Sequence, residues 1–265
     1  TISGGLGVTG SDDASLMGTG ITNSAIQSYR AAIDIVTDRY KSIHHVLAIP
    51  GIREPLITDY AGEQTRSAQF SMYIMDIPHF DKDGNRIFIE DTTVPSVPDT
   101  ISSFKTRALD NNYVATYFPD AIIDDSMNNG RKLEVPASVV AIQAIAYSDA
   151  SSAVWFAPAG FTRGSLSNVS NTTTRLTTLD RDDLYESRIN PIANFPNDDY
   201  KIWGQKTLQR ERSSLDRVNV RRMLLEVKRN ILYISRRLLF KRNNAALRKK
   251  FIAQLSPKLS FIQSP

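Results

Sequence analysis

Arginine supplies the chemistry most plainly written into this 265-residue chain. Arg222, Arg229 and Arg236 recur every seven residues, so at about 100° per residue they share one face of a helix. Guanidinium groups in such a row can hold phosphates, which gives salt-sensitive nucleic-acid affinity. They can equally meet carboxylates on a protein partner, or form a solvated face. Val220, Leu224, Val227, Ile231, Ile234 and Leu238 recur at spacings of four and three and form an apolar stripe almost diametrically opposite. The pattern predicts a long helix that buries the stripe against the sheet or the following helix and offers the arginines outward, with Lys249 and Lys250 next in line.

The remaining chemical motifs fall short of their requirements. Gly5-Leu6-Gly7-Val8-Thr9-Gly10 fits G-x-G-x-x-G, but a dinucleotide site needs a strand before it and a helix opening within it. Only four residues precede it and Ser-Asp-Asp-Ala-Ser follows, which reads as a flexible loop. Asp81, Asp83 and Asn85 resemble the start of a calcium loop. Its sixth position is Arg86 where glycine is needed, and its twelfth is Thr92 where glutamate is needed. His44 and His45 point to opposite sides of a strand and cannot share a metal, and His79 is the third and last histidine. A Ser-His-Asp triad is set by geometry and stays open, although no G-x-S-x-G elbow occurs. The sequons at Asn168 and Asn171 mark a polar loop. These residues predict no catalytic site, no cofactor and no metal.

The elements that must position the arginines alternate between helix and strand. Ser24 is read as the cap of a helix to Asp38, followed by strand His45–Ile49, helix Pro55–Thr65 and strand Phe70–Ile77. A hairpin turns at Lys82–Asn85 and returns over Arg86–Glu90. Helix Thr100–Leu109, strand Tyr113–Phe118 and helix Ala137–Tyr147 follow. Ala153–Pro158 reads as extended, Ser165–Thr178 as a loop or hairpin, and Asp182–Glu186 as a short helix capped by Asp180. A fourth strand, Lys201–Leu208, leads into the arginine helix, which breaks at Asn243 or Asn244 before a second helix over Ala245–Gln254. Strands apolar on both faces between helices predict an α/β layered domain with a largely parallel sheet flanked by helices. A boundary is expected near Leu208, giving 1–208 as an α/β core and 209–265 as the start of a second, basic helical domain.

Composition agrees with a globular protein: 41% apolar, 23% charged, no cysteine and net charge +4. That charge is uneven. Gln209–Lys250 carries fourteen basic residues against three acidic, which points to an acidic partner surface. No apolar run is long enough to span a membrane, and the first residues lack the features of a signal peptide.

Several short blocks occur in a telling order. They are Pro50-Gly51 closing a strand, Asp76-Ile77-Pro78 closing another, Tyr117-Phe118-Pro119, a helix opening at Pro136 with Ser138, Trp155-Phe156-Ala157-Pro158-Ala159, Asn190 to Pro196, Trp203-Gly204 with Thr207-Leu208, and Val220-Arg221-Arg222. Together the series resembles the contractile tail sheath proteins of phages, R-type pyocins and related injection machines. It departs from them in the Phe80–Thr100 segment, which looks like an insertion, and in Asp149–Trp155, where the family's turn has glycine. It also lacks the family's terminal arms, so the resemblance implies a core fragment that is monomeric by itself. The resemblance implies a subtilisin-like core without a triad and a purely mechanical role. Subunits would stack as six-fold rings, exchange arms, and contract to drive an inner tail tube through a host envelope. Implied partners are other sheath subunits, the inner tube, the baseplate and the tail terminator, with no membrane and no direct nucleic acid. The implied place is the virion, after assembly in the bacterial cytoplasm. Arg222, Arg229, Arg236, Lys249 and Lys250 become expected tube contacts. The alternative is a nucleic-acid-binding or small-molecule-binding α/β domain.

Overall fold

The computed structural model describes residues 20–88, 93–196 and 198–263. The glycine run Gly5–Gly10, most of the expected entry loop, Glu90 of the expected return strand and Thr92 of the calcium-like loop lie outside the described residues.

In chain order the elements are α1 (Ser24–Thr37), β1 (Val46–Ala48), α2 (Pro55–Ala68), β2 (Met72–Met75), β3 (His79–Phe80), β4 (Arg86–Ile87), α3 (Val97–Thr106), β5 (Val114–Phe118), β6 (Ala121–Asp125), β7 (Arg131–Val135), α4 (Ala137–Ser151), α5 (Gly160–Arg163), β8 (Val169–Thr172), α6 (Thr178–Glu186), β9 (Ile189–Ala193), β10 (Lys201–Ile202), α7 (Val218–Arg236) and α8 (Ala245–Gln263). The main sheet has the order β1-β2-β5-β9-β10. Its first four strands are parallel, and β10 runs antiparallel to β9. This is the predicted α/β class with a parallel-rich sheet.

Alternation along the strands splits the core into two layers. Met72 and Ile74 of β2 and Ala115 and Tyr117 of β5 face α4, where Val140, Ala141 and Ala144 are buried. Tyr73, Met75, Val114 and Phe118 face the other way, onto Ile26 and Ile33 of α1, Ile57 and Ala61 of α2, and Ile101 and Phe104 of α3. Strands covered on both faces can be buried throughout, as β2 and β5 are.

Local chemistry corrects several details of the sequence reading. Asn23, not Ser24, caps α1, its Oδ1 accepting from Ala25 N and Ile26 N. Thr177 caps α6 in a capping box with Asp180, which itself sits at the third helical position. Ala153–Pro158 is turn rather than strand. Only Lys201 and Ile202 of the fourth expected strand pair as a strand. The hairpin β6–β7 pairs with β8 in a separate three-stranded sheet, a layer the sequence reading did not anticipate. The arginine helix stops at Arg236, while α8 runs past the expected Gln254 and through Pro257.

Gly204 is where the fold needs a glycine. Asn190, buried in β9, donates to Thr116 O and Lys206 O and accepts from Lys206 N, tying β5, β9 and the following loop together. A Cβ on Gly204 would lie 2.8 Å from Asn190 Oδ1 and 3.1 Å from Asn190 Cα. Gly204→Ala is expected to destabilise by about 1–3 kcal/mol through overpacking. Denaturant midpoints of the two proteins measure this, and equal midpoints would show that the contact relaxes freely.

Candidate functional site

The arginine helix turns Arg222 and Arg229 toward the body, against the outward row the sequence predicts, while the apolar stripe, expected on the sheet or on the next helix, is only partly buried. Its body-facing side carries Val218, Arg221, Arg222 and Leu225, all buried, whereas Leu224 in the apolar stripe is 38% exposed. Val220, Val227 and Ile231 are only half-buried, and Ile234 is the one buried member of the stripe. The second helix, α8, packs along α7. Lys258 Nζ donates to Asn230 Oδ1, and the Phe261 ring meets Trp155 edge-on at 5.5 Å.

The surface that receives α7 explains the inversion. At the N-terminal ends of parallel strands, the approaching loops present carbonyl groups, and arginine has donors to match them. Arg221 Nε donates to Asn112 O at 3.1 Å, just before β5, and its guanidinium lies 4.2 Å from the Tyr113 ring centroid. Arg229 donates to Phe70 O at 2.7 Å, before β2, and to His44 O at 3.5 Å, before β1. It also pairs with Glu226 at 3.3 Å and contacts His45 Nδ1 at 2.9 Å. Eight residues of helix rise about 12 Å, which is close to two strand spacings of about 4.8 Å each, so Arg221 and Arg229 are matched to β5 and to β2 and β1. Arg222 is ion-paired with Asp149 at the end of α4 and donates to Val154 O at 3.2 Å.

Arg222 and Arg229 are therefore not members of an outward row, and only Arg236 of the three is exposed. Arg236 lines a crevice of about 200 Å³ with Thr37, His44, Phe70 and Tyr233. Lys249 and Lys250 are exposed on α8. Burial, and then the neighbouring Arg229 charge, lowers the pKa of both His44 and His45. Ser42 Oγ lies 3.3 Å from His44 Nδ1, but His44 Nε2 has no partner, so no carboxylate orients the ring as a triad requires.

The opposite ends of the strands hold a buried polar cluster, of which the sequence reading named His79 as a lone histidine and Asp76 and Ser138 only within longer motifs. Asp76, after β2, accepts from Gly51 N at 3.0 Å, Ser138 N at 3.0 Å and Ser138 Oγ at 2.7 Å. Asp120, after β5, accepts from Ala137 N at 2.9 Å and is ion-paired with Arg53. Both carboxylates sit at the N-terminus of α4, where free N–H groups and the helix dipole favour negative charge. Burial and the nearby Asp120 charge nevertheless push the Asp76 carboxyl up to about 6. His79 is fully buried, and burial followed by Arg53 holds it neutral, well below the ordinary imidazole range. Ser138 bonds Asp76 rather than His79, so these side chains brace the loops and are not wired as a nucleophile relay. The described residues contain no group of three or more His, Asp or Glu arranged to hold a metal.

Comparison with known proteins agrees with this architecture. The fold is that of contractile sheath subunits. The anti-feeding prophage helical sheath in its contracted state superposes with a TM-score of 0.65 over 91% of this chain and 59% of its own, at 19% identity. The sheath complex of an extracellular contractile injection system, PVC, in its contracted state, gives a TM-score of 0.63 over 95% and 68%, at 18% identity. Sequence carries the relation further. The tail sheath protein of Vibrio phage KVP40 is 32% identical over 181 residues, 68% of this chain and 26% of that protein. The tail sheath protein of Enterobacteria phage T4 is 39% identical over 106 residues, 40% of this chain and 16% of that protein. No family model matches the chain. The chain belongs to the contractile tail sheath family. It spans about a quarter or less of the length of the curated relatives it matches.

Proposed function

We propose that this chain is the α/β core of a structural subunit of a contractile phage tail sheath. The subunit polymerises around an inner tail tube and contracts to drive that tube through a host envelope. The observation that carries the reading is the identity to a phage tail sheath protein across 68% of the chain, on a fold shared with contracted sheaths. The role is mechanical rather than enzymatic. Ser138 is hydrogen-bonded to Asp76, and the neutral His79 lies 3.8 Å from a different carboxylate, Asp120, which suits a brace and not a catalytic relay. The core is subtilisin-like in topology, and the basic helices from residue 209 onward open a second domain. Other sheath subunits, the tube, the baseplate and the terminator are its partners. It resides in the virion after assembly in the bacterial cytoplasm.

Tube contacts fall to the cations that remain outward, Arg236, Lys249 and Lys250. Each exposed pair contributes only about 0–1 kcal/mol, so a contact of this kind holds through repetition along the lattice and releases when subunits move. Negative-stain microscopy of the polypeptide that carries this chain is expected to show tubes. Charge reversal at Arg236, Lys249 and Lys250 is expected to weaken co-assembly with the tube while leaving the sheath tubes themselves intact. Salt-dependent DNA retardation without tubes would favour the nucleic-acid reading instead.

A further inference from the structure

A second basic feature lies apart from the arginine face of α7. The C-terminal end of α6, β9's entry and the loop between β10 and α7 enclose an open cleft of about 800 Å³. Five cationic side chains line it, Arg188, Lys206, Arg210, Arg212 and Arg217, against two acidic ones, Glu186 and Asp216.

The cleft's charges are fixed in place largely without being neutralised. Arg188 donates through Nε and Nη2 to Gln209 O and Arg210 O, both at 2.6 Å. Arg210 Nε donates to Leu109 O, and Lys206 Nζ donates to Tyr185 O. A carbonyl orients a guanidinium or ammonium group but leaves its full charge to the surroundings. Among the described residues only Arg217 has a carboxylate, Asp216 at 3.1 Å, and it also donates to the Tyr185 hydroxyl. Arg188 holds its place with φ 64°, a left-handed conformation that a non-glycine residue adopts only under local constraint. Burial lowers the Lys206 pKa, and the nearby charges of Arg217, Arg188 and Arg212 lower it further against the opposing pull of Asp216, the mark of a field in which positive charge outweighs negative.

The shape of the adjoining surface selects among anions. Tyr185 and Arg217 also line a neighbouring groove of about 480 Å³ that runs under Trp203 and Gly160. Above it stands an exposed aromatic cluster: Phe161 is 54% and Trp203 38% exposed, their ring centroids 5.0 Å apart, with Phe195 4.5 Å from Trp203. A phosphate has no use for such a shelf. A peptide does, because partly desolvated aromatic groups beside charge pairs make the dominant anchors of protein interfaces.

We infer that this cleft and its aromatic shelf form a docking site for an acidic peptide segment that carries an apolar anchor residue, the carboxylates facing Arg188, Arg210, Arg212 and Arg217 and the anchor resting on Phe161 and Trp203. The site shares no residue with the exposed cations of α7 and α8 and stands independently of the tube contacts assigned above.

The test uses the 265-residue chain and two labelled peptides, hexaglutamate and the same peptide with a central phenylalanine, followed by fluorescence anisotropy at low salt. Both are expected to bind, the phenylalanine peptide more tightly. Arg212→Glu, at an exposed position, is expected to weaken both by about tenfold or more, a loss of about 1.4 kcal/mol. Arg210→Gln is expected to act in the same direction. Phe161→Ala is expected to reduce only the binding of the phenylalanine peptide. Lys249→Glu with Lys250→Glu, on α8, is expected to leave both affinities unchanged. Thermal unfolding of each variant separates binding from folding. Absence of peptide binding by the folded chain, an equal loss on reversing Lys249 and Lys250, or tripolyphosphate binding more tightly than both peptides would overturn the assignment.

Discussion

Arg222→Ala is expected to unfold the protein at markedly lower denaturant, with a loss in the lower half of the roughly 3–5 kcal/mol typical when one member of a buried ion pair is removed. Arg222 is 3% exposed, and removing it strips Asp149 of its guanidinium and Val154 O of its donor. Asp149 retains partial access to water, which moderates the cost. Leu224→Ala, two residues along on nearly the opposite face, is expected to cost under about 1 kcal/mol, because its side chain is already 38% exposed. For an amphipathic helix this ranking is reversed from the usual one. Chemical denaturation of the two variants side by side measures it, and a costlier leucine than arginine would mean that the apolar stripe faces the core.

Asp76→Asn is expected to alter the pH dependence of stability more than stability at any one pH. The folded Asp76 carboxyl is raised from an ordinary 3.8 to about 6. A raised acid contributes stability that is fully present below pH 4 and lost as pH climbs through about 6. At one pKa unit per 1.36 kcal/mol, that loss is roughly 2–3 kcal/mol. The asparagine variant cannot lose it, so the difference between variant and parent should move in the variant's favour by about that amount between pH 4 and pH 7.5. His79 works in the other direction. Its folded pKa is depressed, so its contribution is present above pH 6.5 and lost on acidification. Because His79 is common to both proteins, its effect largely cancels in the comparison. Unfolding curves at the two pH values decide the matter, and a pH-independent difference would show that Asp76 stays ionised throughout.

The readable parts of the chain were those governed by local rules. β2 and β5 are apolar runs closed by proline, and α2 starts at a proline, so their types and positions follow from sequence. β9 was hidden because Pro191 sits within it and cannot donate to the ladder, a feature that argues against a buried strand. The β6–β7 hairpin was hidden because Ile122-Ile123-Asp124-Asp125 and Arg131-Lys132-Leu133-Glu134 are too charged to look like strands. Their partner β8 lies more than thirty residues downstream of β7.

The arginine helix failed differently. Its periodicity was read correctly, but a hydrophobic stripe tells nothing about what the other face will meet. Here that face met a ledge of strand-leading carbonyls, and hydrogen bonding prevailed over apolar burial. The Asp76–Asp120 cluster was visible as Asp-Ile-Pro and Phe-Pro-Asp, and a carboxylate at a strand's end beside proline is a signal that could have been followed to the start of α4.

The placement of α7 has a mechanical consequence. A force entering through α8 passes into α7 and from there through separate guanidinium links to β5, β2 and β1, while Arg222 carries a share to the end of α4. The pull is divided among several attachment points that must yield together, instead of peeling one edge strand away bond by bond. A fold wired in this way is expected to move as a rigid block when tugged from its basic end, with deformation confined to the links outside the sheet.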